Sequence, residues 1–328
     1  MSQSTAYIVG DKTNGYVVFD PVGAVVYTFD PKTNLFGPSS PLPPTQAPAK
    51  GQPAPQSGIT GNAKSGVVYF SGTQLFYLTD IGNRQAVWKQ LKASPLGNIL
   101  GICGDLVNGI VVHDGDNLAQ IKDVFNNPTW QTTAVSPRIP IQGIAGDGSN
   151  GLVVYRGSFS PQDKYDDDGK FVPTVYKFSG QPYTSACPVS EPQIQIDKLF
   201  GDGSNGYLAF GENQLFSLDP AKGVWNKVAS LCFTLGSAIG NPKDGVVAII
   251  GADNFLVMSP DCKQWSLAQA VPAASQSSDS SSASSSTGAG SSGTSGSAAK
   301  PGPAPAPAKT GGDMPSTAAA PAPAPANA

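Results

Sequence analysis

One pattern recurs six times in this chain. It is a glycine, then Asp or Asn, three variable residues, a second glycine and an apolar triplet. The copies are GDKTNG at Gly10, GNAKSG at Gly61, GDLVNG at Gly104, GDGSNG at Gly146, GDGSNG at Gly201 and GNPKDG at Gly240. The triplets that follow are YVV, VVY, IVV, LVV, YLA and VVA. Two copies also satisfy G-x-G-x-x-G, the form of a dinucleotide-binding turn. That turn needs a helix after its last glycine, to aim an N-terminus at the pyrophosphate. Here LVVYRG and YLAFGE follow, both strand-like, and the middle glycine is Lys12, Ala63, Leu106 and Pro242 in the sister copies. What all six keep is an outer pair of glycines and an Asx side chain that can bond its own loop, which are turn requirements. The motif therefore reads as a hairpin, and no cofactor is expected.

More than the turn repeats. A short apolar run precedes each copy. After the triplet comes a third run that usually ends in Asp (Asp30, Asp80, Asp123, Asp219, Asp261), and a fourth run follows, often opened by Trp. Trp88, Trp130, Trp225 and Trp265 are all the tryptophans of the protein, and all fall at this one repeat position. Copies start 51, 43, 42, 55 and 39 residues apart. Four short β-rich runs per unit at that period predict an all-β fold, a six-bladed β-propeller with four antiparallel strands per blade. Blades are expected to start near residues 6, 57, 99, 141, 196 and 235, within a domain spanning 1–271. The ring is expected to close by packing of the last blade on the first, without a shared strand. The Pro-rich stretch Gly37–Gly58 reads as a long loop. Residues 272–328 contain no aromatic residue and are rich in Ser, Gly, Pro and Ala, which predicts a disordered low-complexity tail.

The turn between the third and fourth runs resembles the Asp-box of sialidase-like (BNR) propellers, S/T-x-D-x-G-x-T-W. SPDCKQW, Ser259–Trp265, matches its Ser, Asp and Trp at the right spacing and lacks the Gly. Asp261 and Trp265 are thereby structural, as are the turn glycines Gly10, Gly61, Gly104, Gly146, Gly201 and Gly240. The resemblance implies, for a sialidase, three arginines on a carboxylate, an Asp acid and a Tyr–Glu nucleophile pair. The chain has only Arg84, Arg138 and Arg156, and Glu191 and Glu212. Arg138-Ile139-Pro140 looks like the R-I-P element of that family but opens the fourth repeat rather than preceding the first. Arg84 belongs to a third-to-fourth-run turn, on the face opposite the one such chemistry uses.

Composition narrows the rest. Charged residues are 13% of the chain and the net charge is −3, so nothing supports a general grip on nucleic acid. No signal peptide and no transmembrane segment is read, so a cytoplasmic or virion-associated location is the default expectation, with reduced thiols. The lone His113 has no second His or Cys near it in sequence, and QDKYDDDGK misses the spacing of a calcium loop, so no metal site is expected. The tryptophans, placed directly after the Asp turn, read as blade packing rather than sugar platforms. The face bearing the long non-repeating turns and unit-to-unit connections, Gly37–Gly58, Gly157–Pro173 and Gln181–Gln195, is the candidate ligand face. Its residues are Arg138, Arg156, Phe159, Tyr165, Asp166, Asp168, Phe171 and Tyr183. The function expected is binding to a protein or glycan partner, as an adhesion, virion or scaffold component, with the tail as a tether. The alternative is a glycoside-acting enzyme using Asp residues on the same face.

Overall fold

The computed structural model describes residues 6–44, 55–126, 128–134, 141–155, 175–179, 185–188, 194–219, 222–251 and 253–272. They form six four-stranded antiparallel sheets, each contiguous in sequence and each in simple up-and-down order, with no helix among the described residues. This is a six-bladed β-propeller. Blade 1 runs from β1 (Tyr7–Asp11) through β2 (Gly15–Asp20) and β3 (Val25–Asp30) to β4 (Leu35–Pro41). The innermost strands of blades 2 to 6 are β5 (Ser57–Asn62), β9 (Gly101–Asp105), β13 (Gly143–Asp147), β17 (Lys198–Asp202) and β21 (Leu235–Asn241). Each innermost strand touches the next, and β21 touches β1, so the circle is complete.

The apolar triplets hold the ring together through the period-two alternation of a strand. The residue straight after the second glycine packs on the preceding blade: Tyr16, Val67, Ile110, Leu152, Tyr207 and Val246. The next residue packs on the following blade: Val17, Val68, Val111, Val153, Leu208 and Val247. Both faces of the second strand are thus dry, which is why the triplets are uninterrupted rather than alternating. The core is consequently six separate seams, one between each pair of blades.

Closure uses no shared strand. Ala6, Ile8, Val18 and Phe29 of blade 1 pack on Val247, Ile249 and Leu256 of blade 6. Two backbone donors at the start of the chain are satisfied across this seam: the Ile8 N–H by Ser237 Oγ at 3.0 Å and the Ala6 N–H by Asn254 Oδ1 at 3.1 Å.

Two segments differ from the sequence reading. Part of the Pro-rich loop expected from Gly37 is strand, because β4 continues to Pro41 and β5 begins at Ser57. Pro38 and Pro41 fit there because β4 is the outer edge of its blade, where a missing N–H breaks no ladder. The stretch Gln181–Gln195, read as a connection between units, contains β16 (Ser185–Pro188), the fourth strand of blade 4. It has no Trp to announce it, and the register sets Ala186 against Phe178.

The first turn glycines have φ from +96° to +140°, the left-handed region that only glycine enters at low cost. A Cβ at Gly104 would meet the carbonyl oxygen of Gly109 across the hairpin, whereas one at Gly97 would meet nothing within 4 Å. Gly104→Ala is expected to cost at least about 1–3 kcal/mol by denaturant unfolding. Gly97→Ala should stay within about 0.5 kcal/mol of wild type.

Candidate functional site

The six Asx side chains of the repeat ring the mouth of a central channel of about 410 Å³. Each is committed to its own turn. Asp105 Oδ1 accepts the N–H groups of Val107 and Asn108 at 2.7 and 2.8 Å, and Asp11, Asn62, Asp147, Asp202 and Asn241 repeat the arrangement. The residue three further on answers. Asn14, Asn108, Asn150 and Asn205 donate side-chain N–H to their Asp. In blade 6 the two types are exchanged, and Asn241 Nδ2 donates to Asp244 Oδ2 at 3.1 Å. Burial pushes the Asp147 carboxyl up, its turn hydrogen bonds pull it down, and the charge of Asp105 adds to the rise. Among the described residues, no three His, Cys, Asp or Glu side chains come together to hold a metal ion.

The larger concavity lies at the closing seam. In four seams the indole of the later blade wedges between the blades, with Trp88 between blades 1 and 2, Trp130 between 2 and 3, Trp225 between 4 and 5, and Trp265 between 5 and 6. Trp88 Nε1 donates to Pro41 O at 2.7 Å and Trp130 Nε1 to Lys92 O at 3.1 Å, each a carbonyl of the preceding blade. Beside the indole, the residue after the turn Asp adds further apolar bulk: Ile81, Val124 and Cys262. Blade 1 has neither filler. Phe36 stands opposite Phe29 where the register demands the indole, and Pro31 follows Asp30. The seam between blades 6 and 1 consequently keeps an open cleft of about 790 Å³, bounded by Tyr16, Phe29, Phe36, Val247 and Met258. Lys12, Lys32, Asp30 and Asp244 stand on its rim.

A β-bulge shapes the cleft further. The pairing of β3 with β4 shifts register between Tyr27 and Phe29, so Thr28 stands opposite two β4 residues, Gly37 and Pro38, and lines the cleft. Asn34, at φ +57°, reaches across the seam and donates from Nδ2 to Ala268 O at 3.0 Å. Its Oδ1 is buried without a hydrogen-bond partner.

His113 is buried in the seam between blades 3 and 4, three seams round the ring from the cleft. It occupies the register position that holds Phe19, Phe70, Tyr155 and Phe210 in sister blades, and it faces Gly101, whose missing Cβ makes room for the ring. Its Nδ1 has no hydrogen-bond partner. Burial depresses its pKa to about 4, against an opposing pull from Asp114. The thiols of Cys103 and Cys262 are buried and pushed up by that burial, while Cys232 is exposed and free.

Asp261 accepts from the N–H groups of Lys263 and Gln264 and lies 3.2 Å from Ser259 Oγ. The insertion-loop residues Arg138, Arg156, Phe159, Tyr165, Asp166, Asp168, Phe171 and Tyr183 lie outside the described residues. Phe36, Thr28 and Met258 were not singled out by sequence. The available signal was the missing Trp in the first repeat, NLFGP, where four of the other five read VW, TW or QW.

No protein-family model matches the chain and no curated protein matches it. Solved structures do. A streptogramin B lyase is 8% identical over 84% of this chain and 86% of its own, with TM-score 0.52. The virginiamycin B lyase of Staphylococcus aureus is 8% identical over 83% and 87%, with TM-score 0.51. U3-55K is 10% identical over 83% of each chain, with TM-score 0.50. At these identities the likeness is one of fold.

The folded-state pKa of His113 lies below its ordinary value of 6.5, so the unfolded chain binds the extra proton. Stability is full above about pH 6.5 and is lost as pH falls towards 4, by on the order of 3 kcal/mol. His113→Phe, adopting the sister-blade residue, should remove that component from melting curves taken across this window. The carboxyl of Asp147 is shifted the other way, so its ionisation costs stability above the ordinary carboxylate range. Asp147→Asn with Asn150→Asp transplants the blade 6 pair and moves the charge to an exposed position. It is expected to raise unfolding free energy at pH 7 by about 1 kcal/mol, and to lose that gain below about pH 4.

Proposed function

We propose that this chain is a binding ring, whose closing-seam cleft receives a side chain of a protein partner without turnover. The observation that carries the reading is the chemistry of the cleft. Its walls are aromatic and aliphatic, the usual lining of a pocket that binds by burial. The carboxylates on its rim already serve turns: Asp30 accepts from Lys32 N and Thr33 Oγ1, and Asp244 accepts from Asn241 Nδ2. The only histidine is buried in a different seam. Two of the similar structures are lyases, so the ring alone does not separate binding from turnover, and the site has to. Kinship with Asp-box propellers belongs to the same reading and is supported by Ser259, Asp261 and Trp265. A second contact surface on the insertion-bearing face, and a tethering role for residues 272–328, extend it.

The test is selection of peptides on the immobilised full-length ring, followed by measurement on a ring whose cleft is plugged by Phe36→Trp. Selected peptides are expected to lose at least tenfold in affinity on the plugged ring and to be recovered unaltered in mass. Equal binding to both rings would remove the cleft from the proposal. A chemically changed peptide, or a glycan ligand indifferent to the plug, would overturn the reading of the ring as a protein-binding device.

A further inference from the structure

The four filled seams are a template for what the open one lacks. In each, a planar indole lies against the apolar wall between two blades, and in two of them its N–H reaches a backbone carbonyl. We propose that the closing-seam cleft is a receptor for an indole, supplied by a tryptophan side chain of the partner. This rests on the binding reading above and names its occupant.

Three observations converge. The first is register. Phe29 and Phe36 pair as Leu218 and Trp225 do, so the missing wedge has a defined place, and Phe36 is the smaller ring standing there. The second is continuity. Phe36 and Met258 pack on the same apolar cluster that closes the ring, so an inserted aromatic group would extend an interface that already exists. The third is polarity. An indole brings one donor, and two oxygens stand at this seam: the Thr28 hydroxyl lines the cleft, and Asn34 Oδ1 is buried without a partner. Flanking Asn34 on either side, Thr33 and Leu35 both line the cleft. An aliphatic occupant would fill space and offer no donor to the Thr28 hydroxyl, and a charged one would be desolvated against Phe29 and Val247. The tryptophan side chain covers a large apolar area while keeping one N–H for hydrogen bonding, which suits both halves of the cleft. The cleft is larger than one indole, so residues flanking the tryptophan also enter it.

The experiment uses the methionine methyl groups of the full chain, Met1, Met258 and Met314; Met258 is the one methionine among the described residues, and it lines the cleft. N-acetyl-L-tryptophanamide is titrated into wild-type protein labelled with ¹³C-methyl methionine. The Met258 signal is expected to move saturably while the Met1 and Met314 signals stay still. N-acetyl-L-leucinamide at equal concentration should move Met258 at least tenfold less. Phe36→Trp should abolish the response and raise the melting temperature by about 2–4 °C, since the ring then supplies its own wedge. If that variant does not fold, the comparison of the two probes on wild-type protein decides alone. A Met258 signal indifferent to the indole, or moved equally by both probes, overturns the proposal. Selected peptides that need the cleft but carry no aromatic residue would overturn the indole and leave the binding reading standing. An indole seated beside Met258 with no peptide selected would do the reverse.

Discussion

A strand that is apolar on both faces has to be covered on both faces, and everything else in this molecule follows from that. Val17 turns to one neighbour and Val18 to the other, and the same division holds in all six blades. No blade can stand alone, because half of its buried surface belongs to the blade before it and half to the blade after it. The hydrophobic effect therefore acts between repeats rather than within them, and the chain gains its full stabilisation only when the circle closes. The hairpins that deliver these strands carry no load of this kind. Their glycines and Asx side chains satisfy backbone groups locally, which leaves the intervening residues free to be Lys, Ala, Leu, Gly or Pro.

Closure makes one seam unlike the rest. Five seams join blades that are consecutive in sequence, so their contacts cost little chain entropy to form. The sixth joins the first strand to the last blade, across almost the whole domain, and must be held by contacts alone. It is held on its inner side by Ile8 and Ile249 and by the bond from Ile8 to Ser237. On its outer side the indole and the apolar turn residue are both absent. The place where first and last blades meet is thus left with an open cleft.

The architecture was legible in the sequence because its determinants are local. Paired glycines at a fixed spacing, an Asx between them and an apolar triplet after them each answer to one hairpin, and six such hairpins count six blades. The reading failed where a strand lacked its marker: β4 is rich in proline and β16 has no Trp, and both were taken for connections. The cleft was harder to see for a different reason. Its walls come from residues near positions 16, 29 and 36 and near 247 and 258, brought together only by closure, and its defining feature is something missing. The absent Trp of the first repeat could be read from sequence, but whether loop residues refilled the gap could not. At the seam between blades 3 and 4 the Trp is also absent, and there Tyr176 and Phe178 pack against Ile141 and Leu118 in the apolar cluster. Similarly, the sequence said of His113 only that it lacks the second His or Cys of a metal site. Its register shows a core position in which imidazole replaces phenyl, and the glycine opposite it accommodates a ring rather than a substrate.

A ligand in the closing seam would touch blades that the chain itself does not connect directly. Ligands that bind the folded state and not the unfolded one stabilise it in proportion to occupancy. In five of the seams such stabilisation would reinforce contacts between consecutive blades. In the sixth it would reinforce the step on which all the others depend, because opening blade 6 from blade 1 exposes the apolar faces of both Val18 and Val247. An aromatic side chain wedged between Phe36 and Met258 would act as the fifth indole of the ring, supplied from outside. Binding and ring closure would then be one equilibrium, and the free energy a partner spends on the cleft would be recovered in part as stability of the propeller.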